Sequence, residues 1–213
     1  VDLSVGAREL MMNGFLHLIA DYDYDSLIVI PLKYQTMIEI SAYSGFDLAI
    51  GVCHIFGFGN FIKDAEKGYN IITKYNENNK NDSLSQNILG FLHYIEIEPV
   101  KGFDTEDNYK KSFDYFCKSA EQGDAYGECW LGKCYCYGYG VKQDKKKAFD
   151  LFMKSAKQGS AIGQYYLGLA YRYGYGVAKD EKKAFEWCKK SAVQGYARSI
   201  KALAGNYQYG TGV

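Results

Sequence analysis

The sequence predicts an all-α fold, a solenoid of antiparallel helix hairpins, and three observations carry that prediction. The stretch Lys118–Val213 repeats itself every 36 residues: Lys118-Ser119-Ala120 returns as Lys154-Ser155-Ala156 and again as Lys190-Ser191-Ala192. A glycine corner recurs with it, Tyr137-Gly138-Tyr139-Gly140-Val141 returning as Tyr173-Gly174-Tyr175-Gly176-Val177 and then as Tyr209-Gly210-Thr211-Gly212-Val213. Between corners, Ala148, Phe149, Phe152 and Ala156 fall on one face of a helix, as Ala184, Phe185, Cys188 and Ala192 do one period later. A fixed period of this size means stacked supersecondary units, each unable to bury its apolar face alone.

The unit follows from local chemistry. Asp144 and Asp180 stand where an N-cap belongs and can accept from the free N–H groups of the helix that follows. Gly123, Gly159 and Gly195 end such helices, at the left-handed position that glycine adopts most cheaply. The next helix carries Leu131-Gly132 and Tyr135, then Leu167-Gly168 and Tyr171, then Leu203-Ala204 and Tyr207. The small residue lets helix axes approach, and the tyrosine one turn on fills the space between neighbours. Val141 can fold back from the corner onto the apolar face.

Earlier elements read as degenerate copies. Ser4–Ala20 forms a first helix with Leu10, Phe15, Leu18 and Ile19 on its apolar side, and Asp21–Asp25 breaks it. Ser26 caps a second helix running towards Ser44; Leu27–Leu32 alone resembles a strand, but Pro31 and the apolar positions Met37, Ile38 and Ala42 favour helix. Phe46–Gly59 ends in a relative of the glycine corner, and Asp64 caps a helix over Ala65–Tyr75. Asn76–Asp82 reads as loop, Ser83–Ile97 as helix, Glu98–Asp107 as a longer replacement for the missing corner, and Asn108–Gln122 as the next helix. The division is therefore 1–108, degenerate and acidic, and 109–213, regular and basic, in one continuous solenoid.

Composition sets limits. The net charge is zero, with 25 basic and 25 acidic residues, so the total offers no sign of nucleic acid. The halves differ: 1–108 holds 7 Lys/Arg against 16 Asp/Glu, and 109–213 holds 18 against 9. That split suits oriented contacts with an acidic partner or a second copy, or else Lys142, Lys145, Lys146, Lys147, Lys182 and Lys183 simply solvate outer faces. The six cysteines ignore the 36-residue period, which points to reduced thiols and an intracellular, cytoplasmic protein. No apolar run approaches the roughly 18 residues of a membrane span. The absence of an initiator Met and the stop just after a loop mark the chain as a fragment.

These residues resemble the Sel-1-like repeat family, relatives of the tetratricopeptide repeats. Leu167-Gly168, Tyr171, Gly174, Gly176-Val177, Asp180, Lys183-Ala184, Trp187, Lys190, Ala192 and Gly195 match that family's unit at its spacings. The match is strong over 109–213 and weaker over 27–108. The resemblance implies a right-handed α-solenoid that acts as an adaptor or scaffold, including in signalling.

By analogy with tetratricopeptide solenoids, the first helix of each pair lines the concave surface. Inward positions then run at i, i+3, i+7 and i+10: Tyr126, Cys129, Lys133 and Cys136; Ile162, Tyr165, Leu169 and Arg172; Arg198, Lys201, Gly205 and Gln208. A groove of Tyr, Ile, Leu, Lys and Arg suits a protein or peptide segment with apolar anchors and acidic character. The alternative is that Ile162 and Tyr165 merely pack on the neighbouring repeat.

Enzymatic readings find little support. His17, His54 and His93 lie in different units and lack metal-ligand spacing, and Cys134 and Cys136 point two ways along one helix, so no metal or cofactor is expected. Gly138-x-Gly140 follows a helix, not a strand, and lacks the rest of a phosphate loop. Base stacking on the 21 tyrosines is weighed against their packing and corner positions. The sequence thus reads as a non-enzymatic adaptor. The alternative is a regulatory or structural arm of a larger enzyme, such as a kinase or ubiquitin-ligase complex, with catalysis outside this chain. Self-association through the face left at Val213 is a third reading.

Overall fold

The computed structural model describes residues 6–8, 11, 15, 32–95 and 105–210. Every described element is helical, and the chain divides into two compact units, Val1–Asn108 and Tyr109–Val213. The expected breaks at Asp21–Asp25, the Ser26 cap, Pro31, most of the Glu98–Asp107 loop and the corner at Thr211–Val213 lie outside the described residues.

In the first unit, residues 6–8, 11 and 15 are helical, and α1 (Leu32–Tyr43), α2 (Asp47–Phe56), α3 (Ala65–Asn78) and α4 (Ser83–Tyr94) follow. Each packs on the next, as hairpins do. Asp64 caps α3 by accepting from the Lys67 amide at 2.9 Å, as its position before an apolar-periodic run requires. α3 runs on to Asn78, three residues past the expected end, because nothing in Asn76–Asn78 forbids helix; the capping role falls to Asn79. His93, at the end of α4, bridges two elements: its Nε2 accepts from the Tyr69 hydroxyl and its Nδ1–H donates to Asn108 Oδ1, both at 3.1 Å. The histidine is structural, and this buried bridge satisfies both ring nitrogens.

In the second unit the 36-residue period becomes geometry. Its elements are α5 (Thr105–Glu121, of which the part from Tyr109 belongs here), α6 (Ala125–Tyr137), α7 (Lys145–Lys157), α8 (Ala161–Tyr173), α9 (Glu181–Val193) and α10 (Ala197–Tyr209). α5 begins three residues earlier than expected, since Thr105, Glu106 and Asp107 are good first-turn residues. The tyrosine one turn past each Leu-Gly pair meets a phenylalanine of the preceding helix edge-on: Phe113–Tyr135 at 5.6 Å, Phe149–Tyr171 at 5.5 Å and Phe185–Tyr207 at 5.5 Å. Two parallel stacks, Phe116–Trp130 at 5.5 Å and Phe152–Tyr166 at 5.4 Å, repeat in the same way. Ser155 donates to the Ala125 carbonyl and Ser191 to the Ala161 carbonyl, each at 2.6 Å. In the first unit Ser41 makes the same bond to the Ala7 carbonyl, so the degenerate copies keep the stacking contact.

The glycines act where expected. Gly132 faces the Phe152 ring so closely that a Cβ would lie 2.6 Å from it. The corners turn through Gly140 and Gly176 at φ 65° and 70°, and a Cβ there would strike the carbonyls of Tyr109 and Lys145. The corner is then closed by Asp144 N–H donating to the Tyr135 carbonyl at 2.8 Å and Asp180 N–H to Tyr171 at 3.0 Å. Asp64 N–H makes the matching bond to His54 at 2.8 Å, so the first unit contains the same corner. Val141 and Val177 are half-buried against it.

Candidate functional site

The first helices of the hairpins in the second unit are α6, α8 and α10, with α6 packed beside α8. The expected groove residues take three kinds of position. Cys129, Lys133, Cys136 and Ile162 are buried. Tyr126, Tyr165, Leu169, Arg172 and Arg198 are half-buried, and Lys201 and Gln208 are exposed. Along equivalent positions the exposure grows from one repeat to the next: Cys129, Tyr165, Lys201, and likewise Cys136, Arg172, Gln208. The cause is stacking. A helix in the series covers the inward stripe of the one before it, and among the described residues nothing packs beyond α10.

Several buried residues outside that stripe support it from beneath. Lys133 lies with its Nζ 3.5 Å from the centre of the Trp130 ring and 5.3 Å from that of Tyr166. Tyr165 contacts Tyr196 edge-on at 5.2 Å and Tyr166 at 5.3 Å. Arg172 donates to Asn206 on the next first helix. Trp130, Tyr166 and Tyr196 lie outside the inward spacing, so sequence reasoning did not find them.

The electrostatics of this face are one-signed. α8 and α10 contain no carboxylate. The only one on α6, Glu128, accepts from Gln158, the residue that follows α7, at 2.7 Å, and burial raises its pKa. Arg172, Arg198 and Lys201 supply the charge. Burial, reinforced by Arg198, pulls the Lys133 ammonium down to about 7, against the pull of nearby Cys129 and of the Trp130 face. Burial raises the Tyr165 phenol, and Arg198 and Arg172 oppose that rise from close by. The outer helices α7 and α9 present Lys145, Lys146, Lys147, Lys182 and Lys183, all exposed, as solvated faces do.

All six cysteines are free, and burial pushes Cys53, Cys129 and Cys134 to about 12 and Cys117 to about 11, far from thiolate reactivity. Among the described residues no group of three or more His, Cys, Asp or Glu could hold a metal ion, and no helix is long and apolar enough to cross a membrane.

Comparison with known proteins matches this geometry. The Sel1 repeat model matches residues 83–124, 125–160 and 161–196, over half of the chain. Its first match begins within the stretch read as degenerate. A crystal structure of a Sel1 repeat protein from Oxalobacter formigenes superposes with a TM-score of 0.67 at 24% identity, covering 99% of this chain and 90% of that one. A second, of c5321, a protective antigen present in uropathogenic Escherichia coli strains and displaying an SLR fold, gives a TM-score of 0.58 at 27% identity; the match covers 94% of this chain and 41% of that one. No curated protein sequence matches significantly.

Proposed function

This chain belongs to the Sel1 repeat family, and from that premise we propose that it is a non-enzymatic adaptor that holds a protein segment against α6, α8 and α10. Repeats of this kind generally mediate protein interactions. One observation carries the specific reading: the face made by these three helices combines Arg172, Arg198 and Lys201 with half-buried Tyr126 and Tyr165, while its only carboxylate is engaged by Gln158. A cationic and aromatic surface recognises a segment with acidic residues and apolar anchors. Free, unreactive thiols support work in a reducing compartment such as the cytoplasm.

Peptides selected from a random display library on the whole chain test this reading. Selected sequences enriched in Asp and Glu beside large apolar residues, and losing about tenfold or more in affinity on Arg198→Glu/Lys201→Glu, are the expected result. Selected sequences that bind that variant as well as the wild type would remove the face from consideration.

A further inference from the structure

The corners of the second unit carry paired tyrosines, and one ring of each pair is open to solvent. Tyr137 pairs with Tyr139 at 5.6 Å and 30° between ring planes, and one period later Tyr173 pairs with Tyr175 at 5.6 Å and 31°. Tyr109 extends the row, 4.7 Å from Tyr139. The inner ring of each pair is half-buried against the corner. The outer one is open, Tyr137 at 45% and Tyr173 at 51% exposure. The corners also meet across repeats: Lys145, which opens the helix after the first corner, brings its Nζ to 5.0 Å from the Tyr175 ring, and a Cβ on Gly176 would strike the Lys145 carbonyl oxygen. In the first unit the matching corner, closed by the same backbone bond, carries phenylalanines instead: Phe56 and Phe58 stack at 5.5 Å and 16°, and Phe58 is buried. Closing the corner thus needs an aromatic pair, but not an open phenol.

We propose that this tyrosine row, Tyr139–Tyr137–Tyr175–Tyr173, is a docking strip for an acidic, proline-rich segment in the polyproline II conformation, with one turn of the ligand per repeat. The inference rests on the reading of the chain as a protein-binding scaffold and adds the class of segment. Two arguments select the ligand. Packed neighbouring helices such as α6 and α8 lie about 8–10 Å apart, and a three-residue turn of polyproline II advances about 9 Å, so every third residue meets the next tyrosine pair. Tilted aromatic pairs offer flat faces to proline rings, and a preformed polyproline II segment loses little entropy on docking. Charge sets the remainder. Lys145 Nζ sits 5.0 Å from the centre of Tyr175, and Lys142 and Lys179 are exposed in the two corners. Asp144 and Asp180, the corner carboxylates, are engaged as helix caps. A single-stranded nucleic acid would also find rings and lysines, and an oligothymidine in the test below decides between the two.

The test is a titration of the whole chain with a fluorescein-labelled twelve-residue peptide of Glu-Pro-Pro repeats, beside a Glu-Ala-Ala control of equal charge and an oligothymidine. Anisotropy should show the proline peptide binding about tenfold tighter than the control, with Tyr137→Ser/Tyr173→Ser losing about tenfold and Tyr137→Phe/Tyr173→Phe staying within about threefold. Amide shifts in the wild type should centre on Tyr137, Tyr139, Tyr173 and Tyr175, a readout that stands even if the serine variant fails to fold. Equal binding of both peptides, shifts elsewhere, or preference for the oligothymidine would overturn the proposal. If neither peptide binds while display-selected acidic peptides still depend on Arg198 and Lys201, this inference falls and the adaptor reading stands.

Discussion

Lys133 rests its ammonium 3.5 Å from the centre of the Trp130 ring, and both side chains are buried. A lysine so placed is held by the aromatic face and penalised by the loss of water. Its pKa in the folded chain, about 7, lies below the ordinary lysine value, so between the two the unfolded chain binds a proton that the folded chain does not. Stability contributed by Lys133 therefore rises with pH from about 7 upward. The buried thiols act oppositely. Cys53, Cys129 and Cys134, at about 12, keep protons that the unfolded chain releases above its ordinary thiol pKa, so stability falls as pH rises beyond about 8.5. Urea unfolding across pH 6 to 11 should show a maximum near about pH 8–9. Lys133→Met should lose the rising limb and keep the falling one. A variant with the wild-type rise between pH 7 and 8.5 would mean that Lys133 is not the group responsible.

Two glycines with different surroundings separate packing from propensity. A Cβ on Gly132 would lie 2.6 Å from the Phe152 ring, whereas nothing lies within 4 Å of one on Gly205. Gly132→Ala should cost about 1–3 kcal/mol through overpacking. Gly205→Ala should be neutral or stabilise by up to about 1 kcal/mol, because alanine is the better helix former. Thermal melts of the two single variants decide this, and equal melting temperatures would contradict the close approach of α6 and α7.

The Asp144 side chain accepts from the Lys147 amide at 3.0 Å at the start of α7. Asp144→Ala should destabilise by about 1 kcal/mol and Asp144→Asn by much less, since asparagine also caps. Chemical denaturation of both variants distinguishes capping from a charge effect, in which asparagine would be as harmful as alanine.

Much of this architecture is legible in the sequence because repetition exposes it. Asp144, Gly159, Leu167-Gly168 and Tyr171 each carry a local reason for their position, and a 36-residue period multiplies the signal. The candidate face is less legible. Whether Cys129 is covered and Lys201 open depends on which helix stacks next, a relationship that a helical spacing within one repeat does not contain. Trp130 and Tyr166 lie outside the inward spacing and are core, yet Lys133 lies over both rings. The end of α3 and the start of α5 each shifted by three residues, because loop-favouring composition does not by itself stop a helix.

Thiol chemistry offers a separate check. Cys117 is half-buried and the other five cysteines are buried. A disulfide reagent at pH 8 should modify Cys117 first and slowly, and the others only on unfolding. Rapid modification of Cys129 or Cys134 in the folded chain would contradict the stacking of α6.

The most direct test of the adaptor reading is site-specific photo-crosslinking in cells, with a benzophenone amino acid replacing Lys201 on α10 or Lys189 on α9. Both positions are exposed and lose one positive charge, so they differ only in the face they occupy. The account predicts a discrete protein adduct from position 201, absent from position 189 and abolished by Arg198→Glu. Identical adducts from both positions, or a discrete adduct from position 189 alone, would place the interaction on the outer helices and contradict it.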